Sequence, residues 1–183
     1  MRGSLSRWAC IGTSRVADSC YLVGLVSDTH GLMRPEALDA LQGSDLIIHA
    51  GDIGDPTVLE ALRTIAPVRA VRGNNDKGTW ASSLPATEVV DLGSHSIYVL
   101  HNLAELDLDP AAGGFTTVVS GHSHKPVVEK RGSVLFVNPG SAGQRRFKLP
   151  VTVATLMLQS RSCEANIVEL ALSQPSRKRG PLT

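Results

Sequence analysis

Along the first half of the chain, short apolar runs alternate with segments of helical periodicity. "YLVGLVS" (21–27) is an almost unbroken apolar run, as expected for a strand buried on both faces. In "RPEALDALQG" (34–43), Pro35 suits a first helical turn, Leu38 and Leu41 share one face, and Gly43 suits a stop. "DLIIHAGD" (45–52) is a second buried strand. "DPTVLEALRTIAP" (55–67) is a second helix, with Asp55 as N-cap and Pro56 at its first position. "VRAVRGNND" (68–76) is a third strand running into a Gly-Asn turn. This β-α-β-α-β order predicts a parallel sheet with right-handed crossovers.

The second half changes character. "TEVVDLG" (87–93), "HSIYVLHN" (95–102), "TTVVSGHSH" (116–124), "PVVEKRGSVLFVN" (126–138), "VTVATLMLQ" (151–159) and "CEANIVELAL" (163–172) all read as strands. "KRGS" marks a hairpin turn, and only "LAELDLDPAAGG" (103–114) offers a short helix. A β-rich second half added to a parallel first half predicts two stacked sheets with helices outside. The pattern shows neither an internal repeat nor a linker long enough to divide the chain.

Composition narrows the picture without redirecting it. A chain of 183 residues fits one domain, and a formal net charge of +1 gives no electrostatic case for a nucleic-acid or membrane partner. No apolar run approaches a membrane span. Cys10, Cys20 and Cys163 are odd in number and form no CxxC pair, so neither a disulfide framework nor a zinc ribbon is indicated. A reducing, cytoplasmic setting is the expectation. Residues 1–20 are rich in Arg and Ser and lack the apolar stretch of a secretory signal. Transit peptides share that composition, but a poorly ordered extension is the preferred reading. The domain is expected over 21–172, followed by a polar tail at 173–183.

The chemistry sits just after the apolar runs. "GLVSDTHG" (24–31) ends a strand with Asp28 and His30 close together. Asp and Gly are common turn residues, and carboxylate and imidazole are also ligands for divalent ions, so this stretch alone leaves both readings open. Other run ends add Asp52, then Asn74, Asn75 and Asp76, then His101, then His122 and His124. In an open α/β sheet the C-terminal strand ends line one crevice, so these residues are expected to converge. Together they exceed the needs of one tetrahedral ion and suit two ions sharing a carboxylate. Two metals roughly 3.5–4 Å apart are the arrangement used for in-line attack on phosphorus. His49, inside a strand, is read as packed behind the ligands, and His95, after a Gly-Ser turn, as solvated.

These blocks resemble a known family, the calcineurin-like metallophosphoesterases, over about residues 22–160. "SDTHG" resembles its D-x-H block, "HAGD" its G-D block, "RGNND" its G-N-x-[DE] block and "SGHSH" its G-H-x-H block. The "VRGNND" form and "VNPGSAGQRR" (137–146) are similar to the YfcE-like phosphodiesterase subgroup. The resemblance implies an α/β fold, a four-layer α-β-β-α sandwich of two mixed sheets flanked by helices. It implies one metal held by Asp28, His30 and His124, a second by Asn74, His101 and His122, and Asp52 bridging the two. Manganese is the expected metal, with nickel, iron, zinc or magnesium as alternatives.

The implied chemistry is hydrolysis of a small phosphoester by in-line attack of a hydroxide bridging the two metals. Asp52, Asn75 and Asp76 are the expected participants, with Asp76 and Ser141 orienting ligands or phosphate and Arg145 and Arg146 meeting a substrate anion. Two positions depart from the family pattern. Asn75 stands where many members have a histidine thought to assist the leaving group. An amide cannot act as an acid, which points to phosphodiesters over monoesters. Asn102 stands where glycine usually follows the histidine, and would be strained if its φ were positive. The alternatives are a phosphomonoesterase of the same fold, or a non-catalytic scaffold like the retromer subunit Vps29. All seven ligand positions carry ligand-type residues, which favours the enzyme. Expected partners are a small phosphoester and no membrane, with nucleic acid only as a small nucleotide diester; self-association is left open.

Overall fold

The computed structural model describes residues 20–146, 148–160 and 162–172. The predicted tail and, apart from Cys20, the predicted N-terminal extension lie outside them. In chain order the elements are β1 (Tyr21–Val26), α1 (Pro35–Ala40), β2 (Leu46–His49), α2 (Pro56–Arg63), β3 (Val68–Ala70), α3 (Thr79–Ser82), β4 (Thr87–Leu92) and β5 (His95–Leu100). A 3-10 turn (Leu103–Glu105) follows, then β6 (Thr117–Val119), β7 (Val127–Arg131), β8 (Val134–Asn138), β9 (Thr152–Gln159) and β10 (Ser162–Glu169).

The strands form two five-stranded sheets, ordered β10-β9-β1-β2-β3 and β4-β5-β6-β8-β7. Both are mixed. In the first, β1, β2 and β3 are parallel, with Val23 opposite Leu46 and Ile47 opposite Val68, and β9 and β10 run antiparallel. In the second, β5, β6 and β8 are parallel, and β4 and β7 are antiparallel edges. This is the predicted two-sheet α/β sandwich.

Side-chain alternation explains the layers. Val23, Leu25 and Ile48 point between the sheets and meet Ile97, Val99, Val119, Val137, Leu156 and Leu158. Val26 and Ile47 point outward and meet Leu41 after α1 and Val58, Leu59 and Leu62 of α2. The first sheet is thus buried on both faces, as its unbroken apolar strands require. A Cβ on Gly24 would lie 2.7 Å from Leu41 Cδ2, so the approach of α1 depends on that glycine. The Asp55 carboxylate caps α2 by accepting from Thr57 N at 2.8 Å.

The outer face of the second sheet is covered more thinly, by the 3-10 turn and its loop. Leu103, Leu106, Leu108 and Phe115 pack on Tyr98, Leu100, Val118, Val134 and Phe136. The short helix predicted for 103–114 is limited to that 3-10 turn. Pro110 disfavours helix at the residue before it, and the Asp109 side chain instead accepts from Ala111 N at 2.9 Å. The third predicted strand also stops early, at Ala70. Helix α3, four residues long, carried no periodic signal. Among the described residues no helix is long and apolar enough to cross a membrane.

Candidate metal centre

Parallel strands β1, β2, β3, β5 and β6 end at the same margin of the sandwich, and each is followed by one of the polar clusters. Backbone hydrogen bonds stitch the turns together. Asp28 N donates to Gly51 O (3.0 Å), His30 N to Asp52 O (3.0 Å) and Gly121 N to His101 O (2.9 Å). Across the sheets, His122 N donates to Asp28 Oδ2 at 3.1 Å. The chain turns so sharply here that Asp28, His30, Asp52, His122 and His124 adopt φ between 48° and 67°. Among the described residues these are the non-glycine residues with positive φ, and all five are predicted ligands. Such a conformation costs on the order of 1–3 kcal/mol per residue, and such strain gathers at functional sites.

Glycines let these turns touch. A Cβ on Gly73 would lie 2.1 Å from Asp52 N, one on Gly121 2.9 Å from Ala50 O, and one on Gly143 2.3 Å from Thr29 O. Each contact is with backbone, which cannot swing aside.

All seven predicted ligands converge, in two lobes joined by Asp52. In the first lobe, His124 Nε2 is 3.2 Å from Asp28 Oδ1, and His30 Nε2 is 3.4 Å from His124 Nε2, with the two rings stacked. In the second, Asn74 Oδ1 lies 3.1 Å from His101 Nε2 and 3.0 Å from His122 Nδ1. Asp52 reaches both, with Oδ2 3.8 Å from His30 Nε2 and Oδ1 3.4 Å from His101 Nε2.

The residues fit a divalent cation. His101 Nδ1 is 2.7 Å from Ala50 O, and a carbonyl only accepts, so Nδ1 carries the hydrogen. The Nε2 atom therefore faces two oxygens, Asp52 Oδ1 and Asn74 Oδ1, that also offer lone pairs. A cation between them, a proton or a metal, removes the conflict. Asp28 Oδ1 is buried without a hydrogen bond in the middle of the first lobe. Two sets of donor atoms lie within 4.8 Å of one another, Asp28–His30–His124 and Asp28–Asp52–His101. The set is carboxylate, imidazole and amide without thiolate, suited to borderline divalent ions.

Electrostatics differ between the lobes. Burial pushes the Asp28 carboxyl up to about 6, against hydrogen bonds from Ser27 and His122 and the positive pull of His101. Burial also pushes His124 down to about 4 and lowers His30. Burial would raise Asp52 too, but hydrogen bonds from His101 and Asn75 outweigh it and hold the carboxyl below its ordinary value. His101 is the converse: burial lowers it, and Asp52 and the Ala50 carbonyl more than restore it.

The remaining predicted residues brace the ligands or border them. Asn75 holds Asp52 at both oxygens, N to Oδ1 at 2.8 Å and Nδ2 to Oδ2 at 2.6 Å. Asp76 accepts from Gly54 N (2.7 Å) and Gly73 N (2.8 Å), tying the turn after β2 to the turn after β3. Ser141 Oγ donates to Asp28 O at 2.9 Å. Arg146 Nη2 lies 3.4 Å from His30 Nε2, whereas Arg145 turns to Leu149 O. His49 is fully buried behind the first lobe. It donates to Thr29 Oγ1 (2.9 Å), whose own hydrogen goes to Ile53 O. Burial drives its pKa to about 3, so it stays neutral.

One expectation is corrected, and one condition is not met. His95 is not solvated: it is buried, and Nε2 donates to Gln159 O at 2.6 Å, fastening β5 to the end of β9 across the sandwich. Asn102 carries no strain: its φ is −105°, and its side chain caps the 3-10 turn by accepting from Ala104 N. The extended conformation makes glycine unnecessary there.

A two-sheet sandwich with candidate carboxylate, imidazole and amide ligands gathered at one margin is what the sequence blocks' resemblance to metallophosphoesterases implies. Residues 21–161 match the Calcineurin-like phosphoesterase superfamily domain. A protein named "Probable metallophosphoesterase" from Methanothermobacter thermautotrophicus is 32% identical over 162 residues, covering 80% of this chain and 91% of that one. Among solved structures, a "Novel Archaeal Phosphodiesterase" superposes with a TM-score of 0.67 at 22% identity, over 80% of this chain and 99% of its own. Vacuolar Protein Sorting 29 from Cryptosporidium parvum superposes equally well (TM-score 0.67, 20% identity, 84% and 99% coverage). The chain belongs to the calcineurin-like phosphoesterase superfamily.

Proposed function

We propose that this protein is a phosphodiesterase that uses two divalent metal ions, manganese first among the candidates, to hydrolyse a small phosphodiester. One observation carries the reading: His101 Nε2, its tautomer set by Ala50 O, faces Asp52 Oδ1 and Asn74 Oδ1 across a gap that needs a cation. Asp28, His30 and His124 would hold one ion, Asn74, His101 and His122 the other, with Asp52 shared. Bound there, such ions would supply a nucleophile from water near neutral pH and offset charge on the phosphoryl oxygens.

The chain's own groups do the rest. Asn75 clamps both Asp52 oxygens and so sets the plane of the shared carboxylate. Arg146, beside His30, is within reach of a phosphate oxygen. No acid stands at Asn75, so the leaving group departs without a proton from this position. A diester with a good leaving group tolerates that, and an alkyl monoester does not. The scaffold reading is disfavoured because none of the seven ligand positions has lost its ligand-type residue.

The test is metal analysis of the purified protein, with turnover of a bis-aryl diester beside a mono-aryl ester in Mn, Ni, Mg and Zn. Metal-dependent turnover favouring the diester is expected. Turnover without metal, or preference for the monoester in every metal, would overturn the proposal.

A further inference from the structure

A cleft of about 240 Å³ opens beside the second lobe, with His122 in its wall. It runs over the outer face of the second sheet between β7 and the turn after Asn102, and Leu103, Val127, Glu129, Arg131 and Phe136 line it. Nothing in the metal chemistry requires it. Its size is below the roughly 300–1,000 Å³ of sites that enclose drug-sized molecules, so it suits one ring system and not a polymer.

The lining states what the cleft would take. Arg131 lies over Phe136, with Cζ 4.5 Å from the ring centroid, and pairs with Glu129 at 2.7 Å. Glu129 beside the guanidinium offsets its charge, which weakens its pull on a second phosphate. A planar cation with one face on an aromatic ring leaves its other face for a second ring to stack. Leu103 and Val127 add apolar walls. The cleft meets the centre at His122. An in-line displacement leaves one organic group of a diester on phosphorus beside the ligands, and a cleft adjoining a ligand can receive it.

We infer that this cleft binds the retained organic group of the diester and selects an uncharged planar ring there, an aryl group or a nucleobase. The inference rests on the phosphodiesterase reading above. The test compares phenyl p-nitrophenyl phosphate with methyl p-nitrophenyl phosphate, which share a leaving group and differ in the group that stays.

With the metal-loaded protein, kcat/KM for the phenyl ester should exceed that for the methyl ester by about tenfold, the scale on which apolar pockets discriminate. Val127→Trp, which fills the cleft, should reduce that ratio about tenfold, and Arg131→Ala about threefold. Should Val127→Trp lose its cooperative unfolding transition, Arg131→Ala decides alone. Cleavage of both diesters with a ratio near one, or a ratio unmoved in the folded variants, would overturn the cleft's role and leave the phosphodiesterase reading standing. Cleavage of neither diester in any metal would overturn both.

Discussion

The two lobes around Asp52 meet the same problem, ligands crowded out of water, in different ways. In the lobe of Asp28, His30 and His124, burial dominates. The carboxyl is pushed up and both imidazoles down, so each group moves toward its neutral form. In the lobe of Asn74, His101 and His122, pairing dominates: Asp52 and His101 each favour the other's charged form. Strain divides the same way. All three ligands of the first lobe have positive φ, but only His122 does in the second. The first lobe is thus shifted toward neutral forms, which a bound cation would reverse, and the second toward an ion pair between Asp52 and His101. The lesson is that one carboxylate, Asp52, lies between a cluster shifted toward neutrality and a cluster shifted toward charge.

The largest expected effect comes from removing what joins them. Asp52→Asn should abolish stoichiometric metal content and lower kcat/KM by more than the 10–100-fold typical of residues that only orient ligands. Asp76→Asn, which loosens a brace between two turns, should stay within that range. Equal, mild losses in both variants, read by metal analysis and kinetics, would break the comparison at its centre.

Next is Asn75. Asn75→His should raise the monoester-to-diester ratio of kcat/KM, by at most the roughly 10²–10⁴-fold that general acid catalysis supplies. It should also weaken metal binding, because the clamp of Nδ2 on Asp52 Oδ2 is lost. A ratio unmoved in fully metallated variant would show that this position does not set substrate class.

A third prediction addresses the waiting charge on Asp28. Its carboxyl rises from 3.8 to about 6 on folding, which at about 1.4 kcal/mol per pH unit is worth about 3 kcal/mol. A raised carboxyl stabilises the fold below pH 3.8, and that contribution is lost as the pH climbs through 6. In metal-free protein, Asp28→Asn should therefore be more stable than wild type at pH 7, and the gap should close toward pH 4. Denaturant unfolding at the two pH values measures it; a gap that widens on acidification would contradict the burial argument.

The smallest effect sharpens the contrast in strain. Asn102→Gly should relieve nothing, because φ is already −105°. Losing the cap should cost only a few tenths of a kcal/mol, read as a fall in Tm of about 1 °C. A rise in Tm would place hidden strain in the second lobe.

Much of this was legible in the chain. Apolar runs gave the strands, Pro35, Asp55 and Pro56 marked helix starts, and the ligands stood where runs end because parallel strands bring those ends to one margin. Less legible were contacts that no local pattern encodes. His95, opening a strand after a Gly-Ser turn, read as solvated, and its partner is a carbonyl 64 positions away. Asp76 could be placed near the centre, but not its role as an acceptor for two glycine amides. Beyond Ala70, where the third strand ends, Gly73 passes against Asp52, a packing contact that hydrophobicity does not register. The lobes' unequal electrostatics follow from which groups offset burial by pairing, and the pairing of Asp52 with His101 and Asn75 joins turns far apart in the chain.

The glycines threaded between the ligand turns have a practical consequence for laboratory evolution. With a Cβ barred by backbone at Gly73, Gly121 and Gly143, these positions offer a library no useful diversity. Randomisation is better directed to Asn75, Val127 and Arg131, whose side chains face open volume or a replaceable partner. New specificities should arise there while the glycine framework is inherited intact.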